Sequence, residues 1–324
     1  MIVTLTANPS LDRTIELPSA LERGEVQRAF ATREQPGGKG VNVSRALIAS
    51  GIETVAVLPG RDVDPMILAL LAEHIPCAGL AIDGRIRSNV TLTEPDGTTT
   101  KVNEPGPTLS VRDAAALVDL VIATASGAQW IVLAGSLPPG LPADFYATVI
   151  RALHATGSTT RIAVDSSGAP LAALIASGVG VDLVKPNAEE LAELTGLEVA
   201  ETDPASAAAA ARMLVADGCR AVLATLGAHG AVLVTAEGAW HATMPPIVPK
   251  STVGAGDSSL AGYLLADGLG ASASESLAQA VAHGTAAAAL PGSTMPSASD
   301  ASPELASVVS ITPHPQAVTV TEQH

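Results

Sequence analysis

The sequence predicts an α/β fold in one large domain, with a mostly parallel sheet between helices and a smaller sheet set apart from it. Short apolar runs of strand length recur at Ile2 to Thr6, Thr54 to Leu58, Trp130 to Ala134 and Arg161 to Asp165, separated by longer helix-like stretches in the βαβ manner. Two other regions, about 13–34 and 86–103, alternate polar and apolar residues at period 2, as half-exposed strands do. With 324 residues and 47 % hydrophobic content the chain can fill a sizeable core, although aromatics are only 2 % and Ala, Val and Leu must do the filling.

Ile2 to Thr6 reads as the first buried strand. Asn8-Pro9-Ser10-Leu11-Asp12 reads as a turn that leaves Asp12 just beyond the strand end. Ligands of open α/β sheets sit at such ends, but Asp12 is equally suited to cap the turn through its own backbone. Arg13 to Leu17 and Val26 to Thr32 read as exposed strands. Pro36-Gly37-Gly38-Lys39-Gly40-Val41-Asn42-Val43 then opens a helix to about Ser50. Gly37 and Gly38 let a ligand approach the helix start, where Lys39 and Asn42 can donate hydrogen bonds. This is not a Walker A loop, because Gly40 stands where Ser or Thr is needed and the leading glycine is missing.

After the strand at Thr54 to Leu58, a helix is expected from about Pro65 to His74. Ile86 to Thr93 turns at Pro95-Asp96-Gly97 and returns as Thr98 to Asn103, a hairpin. Joined to residues 13–34, it makes the small sheet, expected to carry Arg28 and Arg87. Trp130 to Ala134 runs into the turn Gly135-Ser136-Leu137-Pro138-Pro139-Gly140. Leu183-Val184-Lys185-Pro186-Asn187 leads into a helix at Ala188 to Thr195. Ala221 to Leu226 and Ala231 to Thr235 form a hairpin around Gly227-Ala228-His229-Gly230, and helices follow at 257–266 and 277–289. The alanine runs at 205–211 and 285–289 fit tightly packed helices. Val308 to Thr312 is the last expected strand, which sets the domain at 1–312 with a mobile tail at 313–324.

The stretch Thr252-Val253-Gly254-Ala255-Gly256-Asp257 carries the chemistry. Two glycines around an alanine let the backbone turn tightly, and the apolar run behind them makes the loop a helix N-terminus, where free N–H groups attract anions. A carboxylate there competes with a bound phosphate unless it accepts a proton from the group being transferred onto. Asp257 would also suit a helix cap.

Composition narrows the partners. A net charge of −15 disfavours nucleic acid and acidic membrane surfaces. Residues 1–104 hold 10 of the 17 Lys and Arg but 13 of the 32 Asp and Glu, so cations for a small anionic ligand come most readily from there. Cys77 and Cys219 sit in apolar surroundings and read as buried thiols. Met1 to Leu5 has no signal-peptide pattern and no apolar run reaches spanning length, so a cytoplasmic location is expected. His74, His154, His241 and His314 stand alone, without metal spacing, whereas His229 and His283 fall near the glycine-rich motifs.

Four motifs occur in one order: Gly37-Gly38-Lys39-Gly40-Val41-Asn42, Lys185-Pro186-Asn187-Ala188-Glu189-Glu190, Thr225-Leu226-Gly227-Ala228-His229-Gly230 and Thr252-Val253-Gly254-Ala255-Gly256-Asp257. Together they resemble the ribokinase-like sugar kinases of the phosphofructokinase-B family. Thr6-Ala7-Asn8-Pro9-Ser10-Leu11-Asp12 and Gly135 to Gly140 resemble the branch that holds 1-phosphofructokinase and tagatose-6-phosphate kinase. The resemblance covers about residues 1–300.

It implies a ribokinase-like three-layer α/β/α domain with a small β-sheet lid, ATP and Mg²⁺ as cofactors, and a ketohexose monophosphate as acceptor. Asp257 would be the general base, with the N–H groups of Gly254, Ala255 and Gly256 holding the transferring phosphoryl charge. Lys185, Asn187, Thr225, Gly227 and Gly230 would line the ATP site, and Asn187 with Glu190 would hold Mg²⁺ through its waters. Glu190 would serve equally as a helix N-terminal acid. Asp12, Gly38, Lys39, Asn42 and Ser136 would line the sugar site, completed by Arg28, Arg87 and Asn89 from the lid. Ser88 stands where relatives often carry Thr. The lid is often a dimerisation surface in the family, so a homodimer through it is expected.

Overall fold

The computed structural model describes residues 1–312; the expected tail at 313–324 lies outside them. The strands are Ile2–Thr6 (β1), Ser10–Glu16 (β2), Ala31–Gly37 (β3), Thr54–Pro59 (β4), Cys77–Leu80 (β5), Arg87–Thr93 (β6), Thr99–Asn103 (β7), Trp130–Ala134 (β8), Arg161–Asp165 (β9), Leu183–Val184 (β10), Ala221–Thr225 (β11), Ala231–Thr235 (β12), Ala239–Thr243 (β13) and Ser307–Ser310 (β14). The helices are Lys39–Ala49 (α1), Pro65–Ala72 (α2), Val111–Thr124 (α3), Phe145–Ala155 (α4), Gly168–Ala176 (α5), Ala188–Thr195 (α6), Pro204–Ala216 (α7), Ala255–Gly268 (α8) and Ala273–Ala289 (α9).

The large sheet has the order β14-β13-β12-β11-β10-β9-β8-β1-β4-β5. It is parallel from β11 to β5 and antiparallel from β11 to β14. Alternate residues of one strand face different cores: in β8, Trp130 and Val132 join Val43, Leu47, Leu260 and Leu277 on one side. Ile131 and Leu133 join Leu70, Leu117, Ile150 and Leu191 on the other. Helices α1, α8 and α9 thus cover one face and α2 to α7 the other, and both faces of the parallel strands are buried.

The small sheet has the order β3-β2-β6-β7, with β2 parallel to β6. The strand expected at Val26 to Thr32 is mostly a loop, because the residues around it are exposed and their alternation has no buried face to serve. The strand instead starts at Ala31 and takes in Pro36 and Gly37, so the helix opens only at Lys39. Arg28 therefore lies exposed on the connecting loop, and the sheet carries Arg87 but not Arg28. Likewise Ser10 to Asp12 is strand and not turn, since β3 and β6 pair with it from either side.

Val26, Phe30 and Val102, on or beside this sheet, are 97, 78 and 58 % exposed. Strand β13, which the sequence reading did not place, pairs with β14. Among the described residues no helix is long and apolar enough to cross a membrane.

Candidate active site

The motifs converge at the C-terminal ends of the parallel strands, where β1, β8, β9 and β10 hand over to loops. Helix α8 begins behind Gly254, whose φ of 76° is the left-handed conformation that a glycine adopts without strain. Asp257 lies in its first turn and is buried, but it does not cap the helix through its side chain. Its carboxylate Oδ2 instead accepts a hydrogen bond from Asn42 Nδ2 at 2.8 Å, which ties α8 to α1. Burial first, and then the negative charge of Asp165, push the Asp257 carboxyl up to about 6, against the pull of Asn42, Lys185 and Lys39.

Asp165 was not singled out from the sequence. It ends β9, is buried, and meets Lys39 Nζ through Oδ1 at 2.7 Å and Lys185 Nζ through Oδ2 at 3.0 Å. Burial opposes its charge, yet the two ammonium groups hold its carboxyl below the usual range. Burial also opposes the charge of Lys39, and Asp165 outweighs it, keeping that ammonium protonated. The available signal was an acid at the end of a buried strand, the same one that drew attention to Asp12.

The opening motif folds onto the end of β1. Gly38 has φ 123°, and a Cβ there would lie 2.6 Å from Thr6 Cγ2, so only glycine fits so close to the strand. Asp12 Oδ1 accepts from Ser10 Oγ at 2.7 Å and from Asn89 Nδ2 at 3.0 Å, a bond between β2 and β6. Its side chain is thus held in place rather than capping a turn. Arg87 donates from Nη1 to the Glu104 carbonyl at 3.2 Å and from Nη2 to the Asn8 carbonyl at 3.0 Å. Asn8 Nδ2 in turn donates to Ser136 Oγ at 3.3 Å. The structure therefore links Asp12 to Asn89 and, through Asn8, Arg87 to Ser136; it leaves Arg28 outside.

Five buried side-chain atoms have no hydrogen-bond partner among the described residues: Thr6 Oγ1, Asn8 Oδ1, Arg87 Nε and Asn89 Oδ1 at this end of the sheets, and Asp165 Oδ2, whose 3.0 Å contact with Lys185 is an ion pair without hydrogen-bond geometry. Buried polar atoms are normally paired, so these stand out, although Asn8 Oδ1 packs against Gly106 and Thr6 Oγ1 against Gly40. Arg85 and Arg87 line a cavity of about 550 Å³ beside them.

A second cavity, of about 380 Å³, brings Thr225, Gly227 and Gly230 together with Ala255 and Gly256 of the anion loop. Its apolar wall includes Ile247 and Val281, which the sequence reading did not identify. His229 lies in the turn between Gly227 and Gly230, whereas His283 is buried on α9, 3.3 Å from Ser50 Oγ. Asn187 and Glu190 form a reciprocal cap of α6: Glu190 N–H donates to Asn187 Oδ1 at 2.8 Å and Asn187 N–H to Glu190 Oε2 at 2.9 Å. Their side chains offer hard oxygens with a single carboxylate, which suits a magnesium ion that keeps most of its waters. Among the described residues no cluster of three or more His, Cys, Asp or Glu is placed to hold a metal.

A helix-start anion loop with an adjacent carboxylate, an apolar cavity on one side and unpaired polar groups on the other describes a phosphotransferase. Residues 5–300 match the pfkB family carbohydrate kinases, and the chain belongs to that family. The 1-phosphofructokinase of Rhodobacter capsulatus is 36 % identical over 299 residues, covering 87 % of this chain and 88 % of that protein. The ATP-dependent 6-phosphofructokinase isozyme 2 of Escherichia coli (strain K12) is 35 % identical over 290 residues, covering 88 and 92 %. The crystal structure of phosphofructokinase-2 from Escherichia coli in complex with fructose-6-phosphate superposes with a TM-score of 0.82 at 32 % identity, covering 92 % of this chain and 96 % of that one. The fold is ribokinase-like, and the protein is a sugar kinase of phosphofructokinase type.

Proposed function

We propose that the protein transfers the γ-phosphoryl group of ATP to fructose 1-phosphate, giving fructose 1,6-bisphosphate. The observation that carries the transfer is the buried Asp257 carboxylate in the first turn of α8, beside the backbone N–H groups of the Gly254 to Gly256 loop. Asp257 takes the proton of the sugar hydroxyl as that oxygen bonds to phosphorus, and the N–H groups of Gly254 and Gly256 offset the charge on the phosphoryl oxygens, joined by that of Ala255 once it leaves its 3.3 Å bond to the Thr252 carbonyl. Asn42 orients Asp257 through its 2.8 Å hydrogen bond.

Thr225, Gly227 and Gly230 hold the nucleotide in the 380 Å³ cavity, and Lys185, whose Nζ lies beside Gly256, stands by its phosphates. Asp12, Gly38, Lys39, Asn42, Asn89 and Ser136 receive the sugar, and Arg87 its existing phosphate. Arg28 completes that role if its loop folds over the cleft. Bound magnesium, held by Asn187 and Glu190, would neutralise phosphate charge during transfer.

Fructose 1-phosphate is preferred on the Asn8-to-Asp12 and Gly135-to-Gly140 motifs and on relatives named 1-phosphofructokinase. A relative named 6-phosphofructokinase supports fructose 6-phosphate as the second reading, with tagatose 6-phosphate beside it. An ADP-release assay across these three phosphates and free hexoses decides: highest kcat/KM on fructose 1-phosphate is expected, and turnover confined to another sugar overturns the assignment. Nucleotide binding without turnover on any of them would point to a non-catalytic relative. The exposed Val26, Phe30 and Val102 support a homodimer through the lid, which sedimentation velocity would show or refute.

The magnesium role has its own test. Glu190→Gln keeps the reciprocal cap, which glutamine can form as glutamate does, but removes one negative charge. The magnesium titration of activity should shift to higher concentration, and the defect should shrink as the ion is raised. An unchanged titration curve would leave Glu190 as a helix cap alone.

A further inference from the structure

Asp165 has no part in the transfer described above, yet it is the most enclosed carboxylate of the site. An unpaired buried carboxylate is strongly disfavoured, and this one divides its two oxygens between two ammonium groups from different elements. Lys39 is the first residue of α1, three before Asn42, and its side chain is still 35 % exposed. Lys185 follows β10, is only 5 % exposed, and lies so near the anion loop that a Cβ on Gly256 would be 3.3 Å from its Nζ. One ammonium therefore belongs to the acceptor side and the other to the donor side, and a single carboxylate spans them.

We propose that Asp165 is a positioning residue for phosphoryl transfer, holding Lys39 on the sugar side and Lys185 on the nucleotide side at one fixed separation. The proposal rests on the transfer reaction given above. Lysine side chains have many accessible rotamers, so two unheld ammonium groups would meet the reacting phosphates in many poses. Stability alone is a weak account of the trio, because well-packed apolar side chains commonly replace buried ion groups at no cost.

Asp165→Glu is the sharpest test: it keeps the charge and lengthens the arm by one C–C bond, about 1.5 Å. A misplacement of that order costs rate on the order of 10²-fold, so kcat should fall between roughly 10- and 100-fold in a chain that still folds. Asp165→Asn should show a similar fall, with KM raised for sugar phosphate and for ATP alike. In a Lys39→Met background, Asp165→Glu should no longer affect the sugar-phosphate KM but should still affect that of ATP. A merely structural role would not produce this selective loss of additivity.

Circular dichroism and thermal melts establish folding for each variant. Either folded variant with kcat within threefold of wild type overturns the proposal, as do additive effects in the Lys39→Met background. Unfolding of both variants would make the trio a structural element and overturn it too. Asp257→Asn, measured alongside, separates the cases: full turnover there sinks the transfer reading itself, whereas a dead Asp257→Asn with a normal Asp165→Glu sinks only the positioning role.

Discussion

Asp257→Asn should lower kcat by roughly 10²-fold or more while leaving the KM values for ATP and sugar phosphate near wild type, the pattern of a lost general base. The substitution keeps the size of the side chain and its place in the first turn of α8, where no capping bond is lost. Because burial and then Asp165 raise the carboxyl to about 6 in the free protein, wild-type kcat/KM should decline as pH falls through that value and the base is protonated. The residual rate of the variant should lack this acid limb.

The same shift predicts a gain in stability. A carboxyl with a raised native pKa favours the native state when protonated, so its contribution is complete below the ordinary aspartate value and lost as pH rises through about 6. Asparagine, always neutral, escapes that loss. The variant should therefore melt higher than wild type at pH 8 and show a smaller advantage at pH 4.5. Turnover above a tenth of wild type, with saturating substrates, would reduce Asp257 to a structural residue.

Arg87→Ala should raise KM for the sugar phosphate about 10- to 150-fold and leave the KM for ATP nearly unchanged. The guanidinium is anchored by the carbonyls of Asn8 and Glu104, one through each terminal nitrogen, which keeps it in place while Nε has no partner among the described residues. A hydrogen bond to a charged group is worth about 1.5 to 3 kcal/mol, and each 1.4 kcal/mol is tenfold, which gives the stated range. Arg87→Lys should recover only part of the loss, since lysine keeps the charge but not the planar fork.

Arg28→Ala is the informative contrast. An exposed, solvated arginine contributes well under 1 kcal/mol, so a large effect would mean that the 17–30 loop reaches the ligand. If the sugar-phosphate KM of Arg87→Ala rises less than fivefold in a chain that melts normally, or if free fructose is used as well as its phosphate, the phosphate contact is absent.

The parallel sheet was legible because strands buried on both faces read as unbroken apolar runs; Ile2–Thr6, Trp130–Ala134 and Arg161–Asp165 have the expected bounds. The lid was less so. Its strands have one exposed face, and the alternation of residues 26–32 is shared by a surface loop and a strand alike. Strand β13, Ala-Trp-His-Ala-Thr, is short and mixes polar with apolar residues, and its pairing with β12 and β14 is what defines it.

In the site, each motif could be found by its own glycines and acids, but no pairing between motifs could. Asn42 meets Asp257 across 215 positions, and Lys39 meets Asp165 across 126. Such contacts are set by helix and strand packing, which local pattern does not encode. That is why Asp165, with no glycine or motif beside it, went unremarked. The cap formed by Asn187 and Glu190 is, by contrast, a local bond between residues three apart at one helix start.

The unpaired Thr6 Oγ1, Asn8 Oδ1, Arg87 Nε and Asn89 Oδ1 have a bearing on fidelity. A purely apolar pocket distinguishes ligands by bulk and gains only about 1 to 3 kcal/mol for each methylene it accepts or refuses. A cleft with buried acceptors and a buried donor instead penalises whatever fails to reach them, and such sites can reject an analogue missing one hydroxyl by 10⁴- to 10⁵-fold. On the function proposed above, deoxy sugars should be refused more firmly than bulkier ones, and errors in substrate choice should run toward sugars with a full set of hydroxyls.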